Sequence, residues 1–196
     1  EIVYASSMGD GVIQYKNGTP VQSYNEKNAF KETAGGYGSG YCYIDGLAFD
    51  KNGNLWMTSS EVNHAVLVLD KAGAWHRLDI EQLRGVYTIN DILITSTNDK
   101  WIYVPRNTPK LVMIPNSESL DEVSSYEFTT LIDTDGKELT PSNYTCVAED
   151  KDGYIWVGTN RGAVYFTKPR ISSAEDKAAT RCTRVKYTNE ETCLLY

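Results

Sequence analysis

The sequence predicts an all-β chain, a β-propeller of four-stranded antiparallel blades with about four blades present, and three observations predict it. The first is a hairpin pattern. Asp150–Lys151–Asp152–Gly153 supplies a tight turn with a glycine free to take positive φ, and Ile155–Trp156–Val157 follows with strand propensity. Gly158–Thr159–Asn160–Arg161–Gly162 then reverses the chain into Ala163–Val164–Tyr165–Phe166, so turn and strand alternate as in a meander. The second is internal repetition. Ala48, Asp50, Lys51, Gly53 and Trp56 recur 100 residues later as Ala148, Asp150, Lys151, Gly153 and Trp156. Halfway between, Asn98–Asp99–Lys100–Trp101–Ile102–Tyr103–Val104 reads as a degenerate copy in which Lys100 replaces the turn glycine and Tyr103 the tryptophan. A period of about 50 residues lies in the range of propeller blades. The third is the lack of a helical pattern, with only Ser172–Ala179 offering a turn or two after Pro169, read as a loop insertion.

Taken in order, residues 1–25 form an incomplete blade. Ile2–Ser6, Val12–Tyr15 and Val21–Tyr24 are its strands, and its innermost strand is missing. Residues 25–42, ending in Gly35–Gly36–Tyr37–Gly38–Ser39–Gly40, make a connection long enough to be either a mobile linker or a binding loop. Residues 43–79, 89–132 and 143–188 are three blades. Their third strands are Ala65–Leu69, Leu111–Ile114 and Ala163–Phe166, and their outer strands are Trp75–Leu78, Tyr126–Leu131 and Thr183–Tyr187. Residues 189–196 either start a further blade or close the ring through Cys193–Leu194–Leu195–Tyr196. That segment is short for a closing strand, and an open arc leaves edges that more chain would cover, so an excerpt of a larger propeller is the preferred reading.

Composition narrows the function classes. With 196 residues and 41% hydrophobic content, the chain has enough material for one domain with a full core. Fourteen tyrosines suit half-buried strands, and they also suit surfaces that face sugars or proteins. A net charge of −7 without any run of Lys or Arg argues against nucleic acid as a partner. No apolar run reaches the length of a membrane span, so no membrane insertion by this segment is expected. Neither a metal nor a cofactor is expected: the four cysteines have no Cys-x-x-Cys spacing, and each Asp-x-(Asn/Asp)-Gly turn offers too few oxygens for calcium. Cys42 and Cys146 read as small buried hydrophobes at strand starts, while Cys182 and Cys193 are spaced so that a hairpin would bring them to a disulfide.

The run D-G-x-I-W-V-G-T, continued by N-R-G and a returning strand, resembles the two-component regulator propeller repeat. Residues 145–166 fit it closely. Residues 47–69 fit with Met57–Thr58–Ser59 in place of Gly-Thr, residues 92–114 by register, and residues 2–15 by pattern. That repeat occurs in periplasmic sensor regions of hybrid two-component systems of Bacteroidetes and in secretion-associated propeller proteins. The resemblance implies a periplasmic or cell-surface location and a sensory segment that recognises a glycan or similar solute. It also admits a protein-interaction platform, with further blades or an attached signalling or secretion module as partners.

Catalysis has little to stand on. There is no Gly-x-Ser-x-Gly elbow, and of the two histidines only His64, on a hairpin loop, is placed for lyase- or lactonase-like chemistry. Binding is the expected role. The loops between second and third strands emerge on the same face as the interblade connections. Asn63, His64, Arg106, Asn107, Asn160 and Arg161 belong there, with Tyr37, Tyr41, Tyr87 and Tyr144 from the interblade loops. Amides, guanidinium groups and phenol rings around a shallow mouth suit an oligosaccharide or a peptide. Asp50, Gly53, Trp56, Tyr103, Asp150, Gly153 and Trp156 are read as structural repeat positions.

Overall fold

The computed structural model describes residues 1–30, 32–33, 40–133, 135–166 and 182–184. Blade I is three strands, β1 (Ile2–Gly9), β2 (Gly11–Lys16) and β3 (Thr19–Tyr24). Blade II is β4 (Cys42–Phe49), β5 (Leu55–Ser59), β6 (Val66–Leu69) and β7 (Trp75–Leu78). Blade III is β8 (Ile92–Ile94), β9 (Lys100–Val104), β10 (Lys110–Ile114) and β11 (Tyr126–Phe128). A small hairpin, β12 (Leu131–Ile132) with β13 (Glu138–Leu139), precedes blade IV, which is β14 (Tyr144–Glu149), β15 (Ile155–Thr159), β16 (Gly162–Phe166) and β17 (Cys182–Arg184). The strands of each blade pair antiparallel in chain order, giving an all-β partial propeller.

Among the described residues blade I has no inner strand, and its neighbour covers that side in part. The end of β1 pairs with the start of β4 through Met8 with Tyr43 and Gly9 with Cys42, which joins blades I and II into one seven-stranded sheet. The expected outer strand Tyr126–Leu131 is shorter than predicted. It leaves the ladder after Phe128, and Leu131–Ile132 turns instead into the hairpin closed by Asp133 and Gly136.

The core lies in the seams between blades. Leu55, Met57, Leu67 and Leu69 of blade II face Val12, Phe30 and Cys42. Trp56, Val66 and Val68 on the other side of that blade meet Ile102, Val104, Val112 and Ile114 of blade III. Trp101, Tyr103, Leu111 and Met113 meet Ile155, Val157, Val164 and Phe166 of blade IV. Alternation along each strand therefore feeds two seams at once, which is why the middle strands read as unbroken apolar runs. Near the axis the seams are tight. A Cβ on Gly46 would lie 2.7 Å from the backbone nitrogen of Ile92, so only glycine lets β4 approach β8.

The inner hairpins of blades II and IV are each fixed by one carboxylate. Asp50 Oδ1 accepts the backbone N–H groups of Asn52 and Asn54, both at 2.9 Å, and Oδ2 accepts the Trp56 indole N–H at 2.9 Å. Asp150 repeats this with Asp152, Tyr154 and Trp156, the last at 2.7 Å. Gly53 and Gly153 occupy the positive-φ position, at +86° and +83°. Burial pushes the Asp50 carboxyl up, but the bonds from Trp56 and Asn54 outweigh it and hold the group below the ordinary value. The outer turn of blade II uses the same device: Asp70 binds the Ala72 and Ala74 N–H groups, and His76 Nε2 at 3.2 Å takes the place of the indole.

Blade III corrects the sequence register. Its turn bonds run from Asn98 N to Thr95 O and from Thr95 N to Asp99 O, matching Gly53 N to Asp50 O and Asp50 N to Asn54 O. Asn98, at φ +67°, therefore stands for the turn glycine, and Trp101 rather than Tyr103 stands for the tryptophan. Asparagine tolerates the left-handed region, so the turn survives without glycine. Thr95 replaces the aspartate. Its Oγ1 accepts the Asp99 N–H at 3.0 Å, and the buried Trp101 Nε1 has no partner among the described residues. Lys100 falls where Leu55 and Ile155 stand. Its Nζ sits 4.4 Å from the Trp56 ring centroid and donates to Asn98 O at 2.8 Å. Burial lowers the Lys100 pKa, against the opposing pull of Asp50 and Asp99.

One further expectation changes. Cys42 is buried as expected, but Cys146 is exposed, because β14 carries an irregularity between Tyr144 and Cys146 that shifts its register on β15. Both are free thiols. The Cys182–Cys193 pairing and the Ser172–Ala179 insertion lie outside the described residues, apart from the backbone of β17. Asp50→Ala is expected to cost about 3 kcal/mol, because the Asn54 and Trp56 N–H groups lose their acceptor in a buried turn. Thr95→Asp is expected to raise stability by about 1 kcal/mol by giving Trp101 Nε1 an acceptor. Denaturant midpoints of the two variants check both signs.

Candidate functional site

Backbone bonds put the inner hairpin turns and the interblade connections on one face. Ser60 N reaches Tyr43 O, Glu61 N reaches Val86 O, Asn90 N reaches Tyr103 O, Tyr144 N reaches Pro105 O and Asn160 N reaches Asn143 O. The turns from β5 to β6, from β9 to β10 and from β15 to β16 therefore occupy equivalent places around the mouth.

The residues expected there have different fates. Asn63 and His64 are tied to the connection from blade I: the Glu32 carboxylate accepts the Asn63 N–H at 2.6 Å and the His64 N–H at 3.3 Å, and it pairs with His64 Nδ1. Burial pushes Glu32 up, and the His64 and Asn63 bonds overcome this and lower it. Asn160 is a clamp. Its Oδ1 accepts the Ser142 and Asn143 N–H groups at 3.0 and 3.1 Å, and its Nδ2 donates to Ser142 Oγ. Arg161 is exposed beside it, with its backbone N–H on Thr159 Oγ1. Tyr144 is a correction. It is fully buried in the seam of blades III and IV and cannot face a ligand, because the irregularity in β14 turns its ring inward toward Phe128 O. Tyr41 packs edge-on against Tyr43 with centroids 6.3 Å apart. Tyr37 lies outside the described residues.

Tyr87, Arg106 and Asn107 do come together. They line a cleft of about 660 Å³ between the connection from blade II to blade III and the β9–β10 turn. The floor and walls add Gln82, Arg84, Lys110 and Glu127, none of which the sequence pattern singled out. A single 3₁₀ turn, Glu81–Leu83, shapes one wall, anchored by buried Leu83. Arg84 is held in a two-pronged ion pair with Asp79, at 2.6 and 2.5 Å. Lys110 Nζ reaches Gln82 O at 3.2 Å and Glu127 at 3.5 Å. The opposite wall is the stretch Pro105–Pro109, with Asn107 at φ +64° and Thr108 at φ +149°. For a β-branched residue that conformation is strained, and such strain concentrates at functional sites.

Nearer the axis, Asp45 on β4 accepts the Ser60 hydroxyl at 2.8 Å, and Ser60 Oγ in turn accepts the Ile89 N–H. Burial pushes the Asp45 pKa up to about 6, only partly countered by Ser60. Burial, and then the nearby Asp45, also raises the Tyr43 phenol. The described residues contain no cluster of His, Cys, Asp and Glu able to hold a metal ion. Among them, no helix is long and apolar enough to cross a membrane.

Comparison with known proteins agrees with this architecture. Residues 138–161 match the family model described as two component regulator propeller, and those residues are such a repeat, covering β13 to β15 and the Asn160 clamp. No curated protein matches the chain. Among solved structures, PorZ, an essential bacterial surface component of the type-IX secretion system of Porphyromonas gingivalis, superposes with a TM-score of 0.81 over 93% of the chain at 16% identity. The chain spans 25% of PorZ's length, and at this identity the likeness is one of fold. A catalytically inactive virginiamycin B lyase from Staphylococcus aureus, solved with quinupristin, aligns over 75% of the chain and 43% of its own at 15% identity, TM-score 0.49. The extracellular domain of the hybrid two component system BT3049 from B. thetaiotaomicron aligns over 85% and 31%, also at 15% identity, TM-score 0.36. Those last two superpose too loosely to bear on function.

The carboxylates set opposite pH dependences. A folded pKa of about 6 for Asp45, above its ordinary 3.8, means the native state holds that proton longer than the unfolded one. Stability is therefore expected to fall as pH rises from about 4 to about 6, and Asp45→Asn to remove that fall and raise the melting temperature at pH 7. Asp50 and Asp150 are lowered, so their stabilisation is present above the ordinary carboxylate pKa and lost as acid titrates the folded groups. Melting temperatures of wild type and Asp45→Asn between pH 3 and 8 check the sign of each limb.

Proposed function

We propose that this arc of blades is the ligand-binding part of a periplasmic or cell-surface protein, that it binds an oligosaccharide or similar polar solute without chemistry of its own, and that an attached signalling module reads the binding out. The observation that carries the reading is the cleft between Tyr87 and the Arg106–Asn107 turn. It offers a half-exposed phenol ring, an amide and charged groups in a volume suited to a small saccharide. The two component regulator propeller repeat at residues 138–161 supports the sensory side of the proposal. The histidines support the non-catalytic side: neither lines the cleft, His64 is engaged by Glu32, and His76 stands between Asp70 and Asp121.

A second reading, a platform within a secretion assembly, is favoured by the PorZ-like fold. The two readings separate in the cell: deleting the gene abolishes a solute-induced transcriptional response if the protein is a sensor, and delivery of secreted cargo if it is a platform. For the site itself, saccharides that bind the wild-type chain on a glycan array are titrated calorimetrically against Tyr87→Ala and Asn107→Ala. Each variant is expected to weaken binding about tenfold or more. Unchanged affinity in both variants would move the site away from this cleft.

A further inference from the structure

Three equivalent hairpin turns ring the loop face, and two of them are occupied in holding the molecule together. In blade II, Asn63 and His64 receive Glu32. In blade IV, Asn160 clamps Ser142 and Asn143. The turn of blade III contributes only backbone, through Pro105 O to Tyr144 N. Among the described residues the side chains of Arg106, Asn107 and Thr108 make no hydrogen bond or ion pair, although all three line the cleft. The turn is nevertheless stiff. Prolines flank it at 105 and 109, and it holds Asn107 and Thr108 in sparsely populated conformations. A side chain presented on a stiff turn loses little entropy on binding.

The charges of the cleft are not equivalent either. Arg84 has its carboxylate in Asp79, and Lys110 has Glu127. Arg106 is the basic group of the lining with no acid of its own among the described residues, in a chain whose net charge is −7. A guanidinium presents a planar fork of donors that matches a carboxylate, sulfate or phosphate in two parallel bonds. Tyr87, 57% exposed and lining the same cleft, offers a face for the sugar ring that carries such a group. Resting on the reading of this cleft as a saccharide site, we infer that its ligand is an acidic saccharide whose anionic substituent is bound by Arg106.

The test compares oligosaccharides that differ in their acidic substituent: an oligogalacturonate and its methyl ester, and a sulfated glycan and its desulfated form, titrated into the full chain. The acidic member of at least one pair is expected to bind ten times or more tightly than its neutral counterpart, with affinity falling as salt rises. Arg106→Gln should abolish the preference by weakening the acidic member at least ten times more than its neutral counterpart, and Arg106→Lys should restore part of it, since lysine supplies the charge without the fork. The two pairs distinguish carboxylate from sulfate. Equal binding of both members, or a preference that survives Arg106→Gln, overturns the acidic assignment while leaving the saccharide site standing. Saccharide binding that is insensitive to both Tyr87→Ala and Arg106→Gln, or no saccharide binding at all, overturns both.

Discussion

The constraint on which the fold depends is the aspartate at the head of the inner hairpins of blades II and IV. Its first oxygen holds two backbone amides of the turn, and its second holds the aromatic N–H six residues on. A single short side chain thereby fixes the turn, the register of the strand that follows and the orientation of the tryptophan on it. In blade II the tryptophan ring then forms a wall of the seam to blade III. Burying an aromatic ring or a branched aliphatic chain contributes about 1.5–3 kcal/mol each, against about 1 kcal/mol for an ordinary hydrogen bond. The seams therefore supply most of the stability, and the carboxylates decide which seam each ring enters. His76 on Asp70 shows that the device needs an aromatic N–H and not an indole as such.

That device is why the fold was legible. Asp-x-x-Gly followed by a strand with tryptophan at its second position is a local pattern, and it marked the turns at Asp50 and Asp150 and the strands Leu55–Ser59 and Ile155–Thr159 that follow them. Blade III was misread because threonine and asparagine perform the turn there, and neither looks like aspartate or glycine in a sequence. The anchor residues appeared two places late, and Tyr103 was taken for the tryptophan although Trp101 lay in plain view. The misreading also hid Lys100, whose place among aliphatic residues becomes apparent only once the register is known. Tyr144 and Cys146 went wrong for a related reason: strand alternation predicts which way a residue faces, and the irregularity in β14 breaks the alternation between them.

The candidate site was legible in part, on the same principle. Arg106 and Asn107 could be found because turn residues at a repeat-equivalent place share a face. Arg84, Lys110 and Glu127 could not, since they enter the cleft from a 3₁₀ connection and from strands whose sequence carries no turn signal. The connection from residue 25 raised a choice between linker and binding loop. In its described part Ala29 and Phe30 are buried in the first seam, Arg77 donates to Ala29 O at 2.7 Å, and Glu32 grips the β5–β6 turn. It acts as a strap across blades I and II, which β1 and β4 join through two residue pairs, Met8 with Tyr43 and Gly9 with Cys42.

This strap explains how labour is divided among the three mouth turns. Where a seam needs help, the adjacent turn is spent on it. Among the described residues blade I has no inner strand, and the β5–β6 turn anchors the strap beside it. Blade IV follows the β12–β13 hairpin and begins with an irregular β14, so the β15–β16 turn clamps the approach through Asn160. Blade III sits between two complete seams, with Trp56 and Lys100 closing one and Trp101 and Phe166 the other at a ring distance of 4.9 Å. Its turn has nothing to hold beyond one backbone bond. Freedom from structural duty is what lets a turn carry strain and unpaired polar groups without loss to the fold, and a repeat architecture generates such freedom wherever neighbouring blades are sufficient by themselves.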